Sequence, residues 1–501
     1  MSGPAQVLGA VLTWAECPNS NCSQLLQLCP RPMHINPIDI RNRRVLAPAI
    51  NAAGERAVQP REDHHLLQGE LVPPRSSKFG NDHFASGFLP LGADRARAAG
   101  LTVTIPSLDG IRAISVLLVV LAHSGFGTIV PGGLGVTIFF FLSGYLITTL
   151  LLAEIERVGK IAISNFYARR IFRLAPALLI TLAIAYGLTY SGLLPGQITL
   201  EGLTAQILYF ANYFIIFFDP SANEMPAGTG ILWSLAIEEH FYIFFPLFIA
   251  LFVRKGSRLR TIGIVFIITC VVILTWRIHL VQSPEFFTDR TYLASDTRID
   301  SILYGCVMAM LINPLRSTAP SEAMSLRQWT LFSIGIGFLV FSLIYRNPIF
   351  RETFRYSLQG IALFPIFYFA ILFHDNPLFR HLNSAWAIRI GTYSYVIYLS
   401  HLVVLFVIFK NAPFIANNRF VLFPVALMTS IAYAAAIDML VDPYFRKLRH
   451  KYGLASDRRS RHGADVREPT ASDGVSRDSG HGAGDKAQRG VSRVFRTFGS
   501  G

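Results

Sequence analysis

DGIRAISVLLVVLAHSGFGTIVPGGLGVTIFFFLSGYLITTLLLA, residues 109–153, holds two apolar runs, 109–130 and 133–153, parted only by Pro131 and Gly132. Each run has the ~20 residues that an α-helix needs to cross ~30 Å of hydrocarbon. A backbone in lipid must satisfy its own polar groups, so the stretch reads as two membrane-spanning helices. Working outward, comparable runs recur at 172–193, 234–253, 261–281, 298–315, 328–345, 357–374, 388–410 and 419–441. The expected fold is therefore all-α: a polytopic transmembrane helical bundle of about ten spans.

Composition agrees with this. The 501 residues are 52% hydrophobic and only 15% charged, with 39 Phe, which is too apolar for an ordinary soluble chain. The formal charge of +14 sits in short connections and the tail rather than along one soluble basic face. The lipid bilayer is thus the expected partner, and no nucleic acid is expected. Cys17, Cys22, Cys29, Cys270 and Cys306 lack paired-ligand spacing, so neither a metal site nor a disulfide framework is read. The first fifteen residues lack a cationic segment, so no cleaved leader is expected.

Residues 1–106 mix Pro, Gly, Asn and scattered charge without helical periodicity, the pattern of a disordered extension. The expected transmembrane domain covers 107–445. A basic disordered tail over 446–501 should follow; from 442 onward there are 13 Lys/Arg against 7 Asp/Glu. Arg157, Lys160, Arg169, Arg170 and Arg173 follow the second span, and Arg254, Lys255, Arg258 and Arg260 follow the fourth. The positive-inside rule puts both clusters in the cytoplasm. A further apolar run at 203–219 would separate them if it crossed, so it is read as re-entrant or lying on the outer surface. Ten crossings then leave both termini inside, and 194–233 is the largest external piece.

Ionisable groups inside apolar runs cost several kcal/mol unless paired or hydrated, which makes each a functional candidate. Arg112 and His123 are eleven residues apart, three helical turns plus about 20°, so they share one face roughly 16 Å apart. Arg112 could simply snorkel and His123 satisfy a helix carbonyl. Against that, an imidazole at mid-depth is suited to proton transfer near neutral pH. Arg173 is four residues from Arg169 and three from Arg170, so a helix gathers three cations that repel unless an anion visits. A plain orientation signal is the alternative; the phosphates of coenzyme A would suit the cluster.

Trp233-Ser234-Leu235-Ala236-Ile237-Glu238-Glu239-His240 opens another span with two carboxylates and an imidazole. Packing does not account for them. Glu238 should reach the depth of His123, so a His–Glu pair that orients the ring is expected. Arg298 and Asp300 read as an outer-edge pair, more structural than chemical, and His401 should share the depth of His123. Tyr145 lies in a Phe- and Gly-rich stretch that suits helix packing or a slender ligand.

In order, Leu108 to Arg112 through His123, Phe139 to Thr148, Arg169-Arg170 with Arg173, Trp233 to Tyr242, Thr297 to Asp300 and Gly391 to His401 closely resemble the membrane-bound acyltransferase 3 family. The resemblance covers about 107–445. Members O-acylate lipopolysaccharide O-antigen, exopolysaccharides, Nod factors, peptidoglycan and some macrolides, usually from acetyl-CoA. Two departures stand out: His240 replaces a usual Gln, and a terminal Glu-x-Pro reads Val441-Asp442-Pro443. No SGNH esterase-like pattern follows 445, so a stand-alone membrane module is expected.

The resemblance implies transfer of an acyl group, usually acetyl, from cytoplasmic acyl-CoA, a co-substrate rather than a tightly bound cofactor, to a hydroxyl of a glycan or glycolipid at a bacterial inner membrane. His123 would be the base, with Glu238 or Glu239 balancing its cation. Arg112, Arg169, Arg170 and Arg173 would hold coenzyme A, and Trp233, Tyr145, Arg298, Asp300 and His401 would line the acceptor side. Direct transfer and an acyl-enzyme on His123 are both open. A proton-coupled transporter or a polysaccharide-export subunit would carry similar buried groups.

Overall fold

A computed structural model of the chain describes residues 105–219, 223–253, 259–317 and 323–453. Residues 1–104 of the extension expected over 1–106, the cations Arg254, Lys255 and Arg258, and the tail beyond 453 lie outside the described residues. Eleven helices carry the architecture: α1 (Leu108–Leu121), α2 (Gly132–Val158), α3 (Ile163–Tyr190), α4 (Leu232–Phe252), α5 (Leu259–Val281), α6 (Asp300–Leu311), α7 (Leu326–Ile344), α8 (Phe354–Leu372), α9 (Ala385–Asn411), α10 (Arg419–Leu440) and α11 (Asp442–Gly453). Among the described residues no strand forms; Gly196 and Pro226 make one isolated bridge.

Nine helices among the described residues are long and apolar enough to cross a bilayer. Large side chains on them point outward, among them Ile268, Val271 and Val272 on α5 and Phe338 and Phe341 on α7. A water-soluble protein would not present such rows, whereas lipid tails solvate them. The chain is a multi-pass membrane protein.

Two boundaries differ from the sequence reading, and the run expected not to cross does not cross. The run at 298–315 forms only the twelve residues of α6, about 18 Å of helix, because Thr297 and Arg298 belong to a separate short turn and Pro314 opens a 3-10 turn. α6 is too short to span alone and is walled in by protein. The run at 203–219 breaks at Tyr209, whose φ is 56°, into Leu200–Ile207 and Ala211–Phe217, so no single helix crosses there. Arg169, Arg170 and Arg173 do not lie in a connection: α3 begins at Ile163 and includes them, and only 159–162 link it to α2.

α2 and α6 cross backbone to backbone. A Cβ on Gly144 would run into the Ile302 carbonyl, and one on Gly305 into the Phe141 carbonyl, so each helix supplies the glycine that admits the other. Cys270 and Cys306 are buried free thiols beside this crossing.

α11 runs past the expected boundary at 445. Asp442 accepts from Arg446 Nη2 and Arg449 Nη2, both at 2.7 Å, and Arg449 Nη1 donates to the Phe172 carbonyl of α3 at 3.3 Å. Partial burial pushes the Asp442 carboxyl up, but hydrogen bonds from Arg446 and Arg449, aided by their charge, outweigh it and hold it below its ordinary value. A depressed native pKa stabilises docking above the unfolded value of about 4 and loses that contribution as pH falls through the native value. Limited proteolysis should therefore find 442–453 protected at neutral pH and released in acid, and Asp442→Asn released already at pH 7. Equal protection of both chains at pH 7 would count against this clamp.

Candidate active site

α1 ends in a π-helical turn, Ala122–Phe126, closed by Gly125 at φ 91°. This turn carries His123. α9 lies along α1, seated so closely that a Cβ on Gly391 would strike the Asp109 carbonyl. That seating brings His401 to His123: Nδ1 of His123 is 3.1 Å from Nε2 of His401, and the ring centroids are 5.2 Å apart.

The partners fix the tautomers. His401 Nδ1 is 2.7 Å from the Tyr398 carbonyl, which can only accept, so Nδ1 carries the proton. In the neutral ring Nε2 is then the acceptor, and His123 Nδ1 must donate to it. The lone pair of His123 is left on Nε2. His401 is fully buried whereas His123 is partly exposed. Tyr398 extends the cluster through its hydroxyl, 2.7 Å from Ser234 Oγ.

The expected His123–Glu238 pair does not form. Glu238 accepts from Ser143 Oγ at 3.0 Å, and Glu239 accepts from Arg170 Nε at 3.1 Å and Nη2 at 2.9 Å. The Arg170 guanidinium also lies over the Tyr242 ring. Glu238 is within electrostatic reach of Tyr398, Arg170 and Arg112.

The cations gather as the α3 spacing predicts, and more join them. Arg112 pairs with Asp109 and Arg169 with Glu154 at 3.7 Å. Arg173 is exposed, lies within electrostatic reach of Arg112, Arg170 and Arg449, and forms no ion pair among the described residues. Such a cluster of guanidiniums is stable when an anion occupies it.

Other candidates lie elsewhere. Tyr145 is fully buried and its hydroxyl is 2.9 Å from Asn313 Oδ1. Trp233 packs on Tyr292 with centroids 4.9 Å apart. Arg298 and Asp300 do not pair, since residues two apart on a helical path face different ways. Asp300 Oδ2 binds Arg277 Nη2 at 2.8 Å, both side chains being inaccessible to solvent. Arg298 donates to Thr137 Oγ1 at 3.2 Å and lies 3.8 Å above the Tyr356 ring centre. His240 is 2.7 Å from Ser295 Oγ, off the His123 cluster.

The sequence reading missed Ser143, Tyr398, Arg277 and Arg449. Arg277 was accessible to the rule that flags ions inside apolar runs. Tyr398 and Ser143 were not, because a hydroxyl gives no charge signal until its neighbours are known.

A family model described as an acyltransferase domain matches residues 105–439. The chain is 29% identical over 326 residues to the O-acetyltransferase OatA of Staphylococcus aureus strain NCTC 8325 / PS 47, a match covering 63% of this chain and 52% of that protein. The OatA of strain MW2 matches with the same figures. The chain thus spans about half the length of the curated relatives it matches. No solved structure matches it.

Proposed function

The chain belongs to the acyltransferase 3 family, whose domain occupies residues 105–439, and from that premise we propose that it moves an acetyl group from cytoplasmic acetyl-CoA to a hydroxyl of a cell-surface glycan or glycolipid. The observation that carries this reading is the His123–His401 hydrogen bond, which leaves a basic nitrogen on His123 Nε2, on the same helix as Arg112 of the cationic cluster. Arg112, Arg169, Arg170 and Arg173 bind the coenzyme A phosphates, and Glu238 and Glu239 hold Ser143 and Arg170 along the path of the pantetheine arm. The cationic end is cytoplasmic by the positive-inside rule, and both termini of this bacterial inner-membrane protein face the cytoplasm.

In the reaction His123 Nε2 takes the proton of the acceptor hydroxyl as its oxygen attacks the thioester carbonyl. The carbon–sulfur bond then breaks, and the thiolate takes up a proton as coenzyme A leaves, so that one ester and one thiol replace one alcohol and one thioester. The imidazolium formed on His123 is held by its Nδ1–H···His401 bond. The Tyr398 carbonyl cannot take a proton, so the charge stays on the two rings.

Label from acetyl-CoA appearing in the glycan fraction, with release of free coenzyme A that requires acceptor, supports transfer. Movement of substrate without thioester cleavage would instead favour a proton-coupled transporter. In cells, the surface polysaccharide of a deletion strain should lose acetyl mass increments; an unchanged mass spectrum would count against the glycan assignment.

His401 acts as a positioning residue, and its substitution separates packing from tautomer control. His401→Leu should lower kcat about 10²-fold by freeing the His123 ring. His401→Gln, whose amide oxygen accepts from Nδ1–H, should recover at least about tenfold of that loss. Equal loss in the two variants would remove the tautomer argument.

A further inference from the structure

His240 follows Glu239 on α4 but leaves the helix about 100° further round. Glu239 therefore turns to Arg170, and His240 turns to the connection between α5 and α6. There Nδ1 of His240 is 2.7 Å from Ser295 Oγ. Two side chains from the broken 203–219 run complete the cluster. Asn212 Nδ2 lies 3.0 Å from Ser295 Oγ and 3.2 Å from the Leu293 carbonyl. Tyr213 stacks on the His240 ring with centroids 6.1 Å apart, and its hydroxyl, which also approaches Ser295, donates to Asp296 Oδ1 at 3.1 Å.

The partners fix which atom donates. The Leu293 carbonyl can only accept, so the Asn212 atom that it shares with Ser295 is the amide nitrogen, and Ser295 Oγ accepts from it. Tyr213 has turned its own proton to Asp296, which leaves His240 Nδ1 to take the Ser295 hydroxyl proton. In the neutral ring the lone pair is then on Nδ1 and the proton on Nε2. Tyr209, whose left-handed backbone at φ 56° breaks the 203–219 run, offers its carbonyl to the same imidazole. A hydroxyl that donates to an imidazole oriented in this way is the arrangement that activates a serine.

A purely structural tie would leave no polar atom over. Asn212 is fully buried, yet its Oδ1 has no hydrogen-bond partner among the described residues. A bare amide oxygen beside the hydroxyl is costly, and a donor group on a ligand or a water would relieve it. The approach is aromatic: Ser295 is 8% exposed, Tyr213 and His240 are half-buried, and Phe217, stacked on Tyr213, and Trp276, whose Nε1 donates to Asp296 Oδ2 at 2.7 Å, are exposed.

We propose that Ser295 is a second nucleophile of this protein, with His240 as its base, acting on an ester whose acyl chain reaches it from the lipid across this aromatic rim. Ser295 Oγ bonds to the ester carbonyl carbon as its proton passes to His240 Nδ1. The bond from that carbon to the leaving oxygen breaks, His240 returns the proton to it, and an alcohol departs from acyl-Ser295. Water then gives a proton to His240 and its oxygen to the acyl carbon, which releases a carboxylic acid and restores the serine. This activity lies beyond the transfer reading and does not rest on it, since it uses neither His123 nor coenzyme A.

The test uses the full chain in nanodiscs of ether-linked phosphatidylcholine, which offer no competing ester. Decyl fluorophosphonate is the covalent probe, with the adduct located by peptide mass spectrometry, and p-nitrophenyl decanoate and acetate are the esters. An adduct on Ser295 is expected, together with release of p-nitrophenol from the decanoate that Ser295→Ala abolishes. His240→Gln, which can still hydrogen-bond to Oγ but holds no base, should slow both about 10²-fold. His123→Ala should label at the wild-type rate. Monodisperse behaviour in detergent reports that each variant is folded. Absence of the adduct on Ser295, or labelling that His240→Gln leaves unchanged, overturns the dyad. Labelling lost in His123→Ala would overturn its independence from the transfer site, and faster hydrolysis of the acetate than of the decanoate would overturn the lipid-borne chain.

Discussion

Membranes carrying His123→Ala should release coenzyme A from acetyl-CoA, in the presence of acceptor, about 10²- to 10⁴-fold more slowly than wild type, the range that a positioned general base supplies. The size of the effect follows from the geometry. His401 holds the ring through Nδ1 and is itself held by the Tyr398 carbonyl, so Nε2 is the accepting nitrogen before the substrates arrive. Among the described residues of this site no second imidazole stands ready to replace it, because His401 is fully buried with both nitrogens engaged and His240 is committed to Ser295. The glutamates are no substitute either, since Ser143 and Arg170 already occupy them. Donor binding should persist in the variant, as the arginines lie on other turns and other helices. A residual rate within threefold of wild type would remove His123 from the chemistry.

The second large effect is on folding. Arg277→Ala should destabilise the purified protein by about 3–5 kcal/mol, the cost of stranding one member of a buried ion pair. Arg277 reaches Asp300 Oδ2 at 2.8 Å, Ser357 Oγ at 2.7 Å and the Thr353 carbonyl at 3.1 Å, with no solvent access. Removing it leaves the Asp300 carboxylate in an apolar setting at the head of α6, the short helix that α2 receives at the Gly144–Gly305 crossing. The double replacement Arg277→Leu/Asp300→Leu should recover much of the loss, because neither charge is then left alone. Denaturation followed in detergent by loss of monodisperse protein checks both. A double variant no better than the single one would mean that the other hydrogen bonds of Arg277, rather than its charge, hold this region.

Where the sequence reading succeeded and where it stopped have physical causes. A run of about twenty apolar residues announces a helix locally, so nine spans were visible without any partner in view. The failure at 298–315 is instructive, because a fully buried helix need not match the bilayer thickness: protein on all sides replaces lipid, and twelve residues suffice. The α3 cations were found because their spacing is a property of one helix. The wrong partner for His123 arose because equal depth on two helices does not specify which helices adjoin.

The amino-acid order by itself determined that this is a helical membrane protein with an arginine cluster on one helix and imidazoles inside apolar runs, since hydropathy and the 3.6-residue period act within a segment. Only the tertiary structure decided that His123 meets His401 across 278 residues, that Glu239 goes to Arg170, and that Arg277 takes Asp300 away from Arg298. Those choices depend on which faces the glycine contacts allow to come close, and close approach is a property of pairs of helices, not of either one.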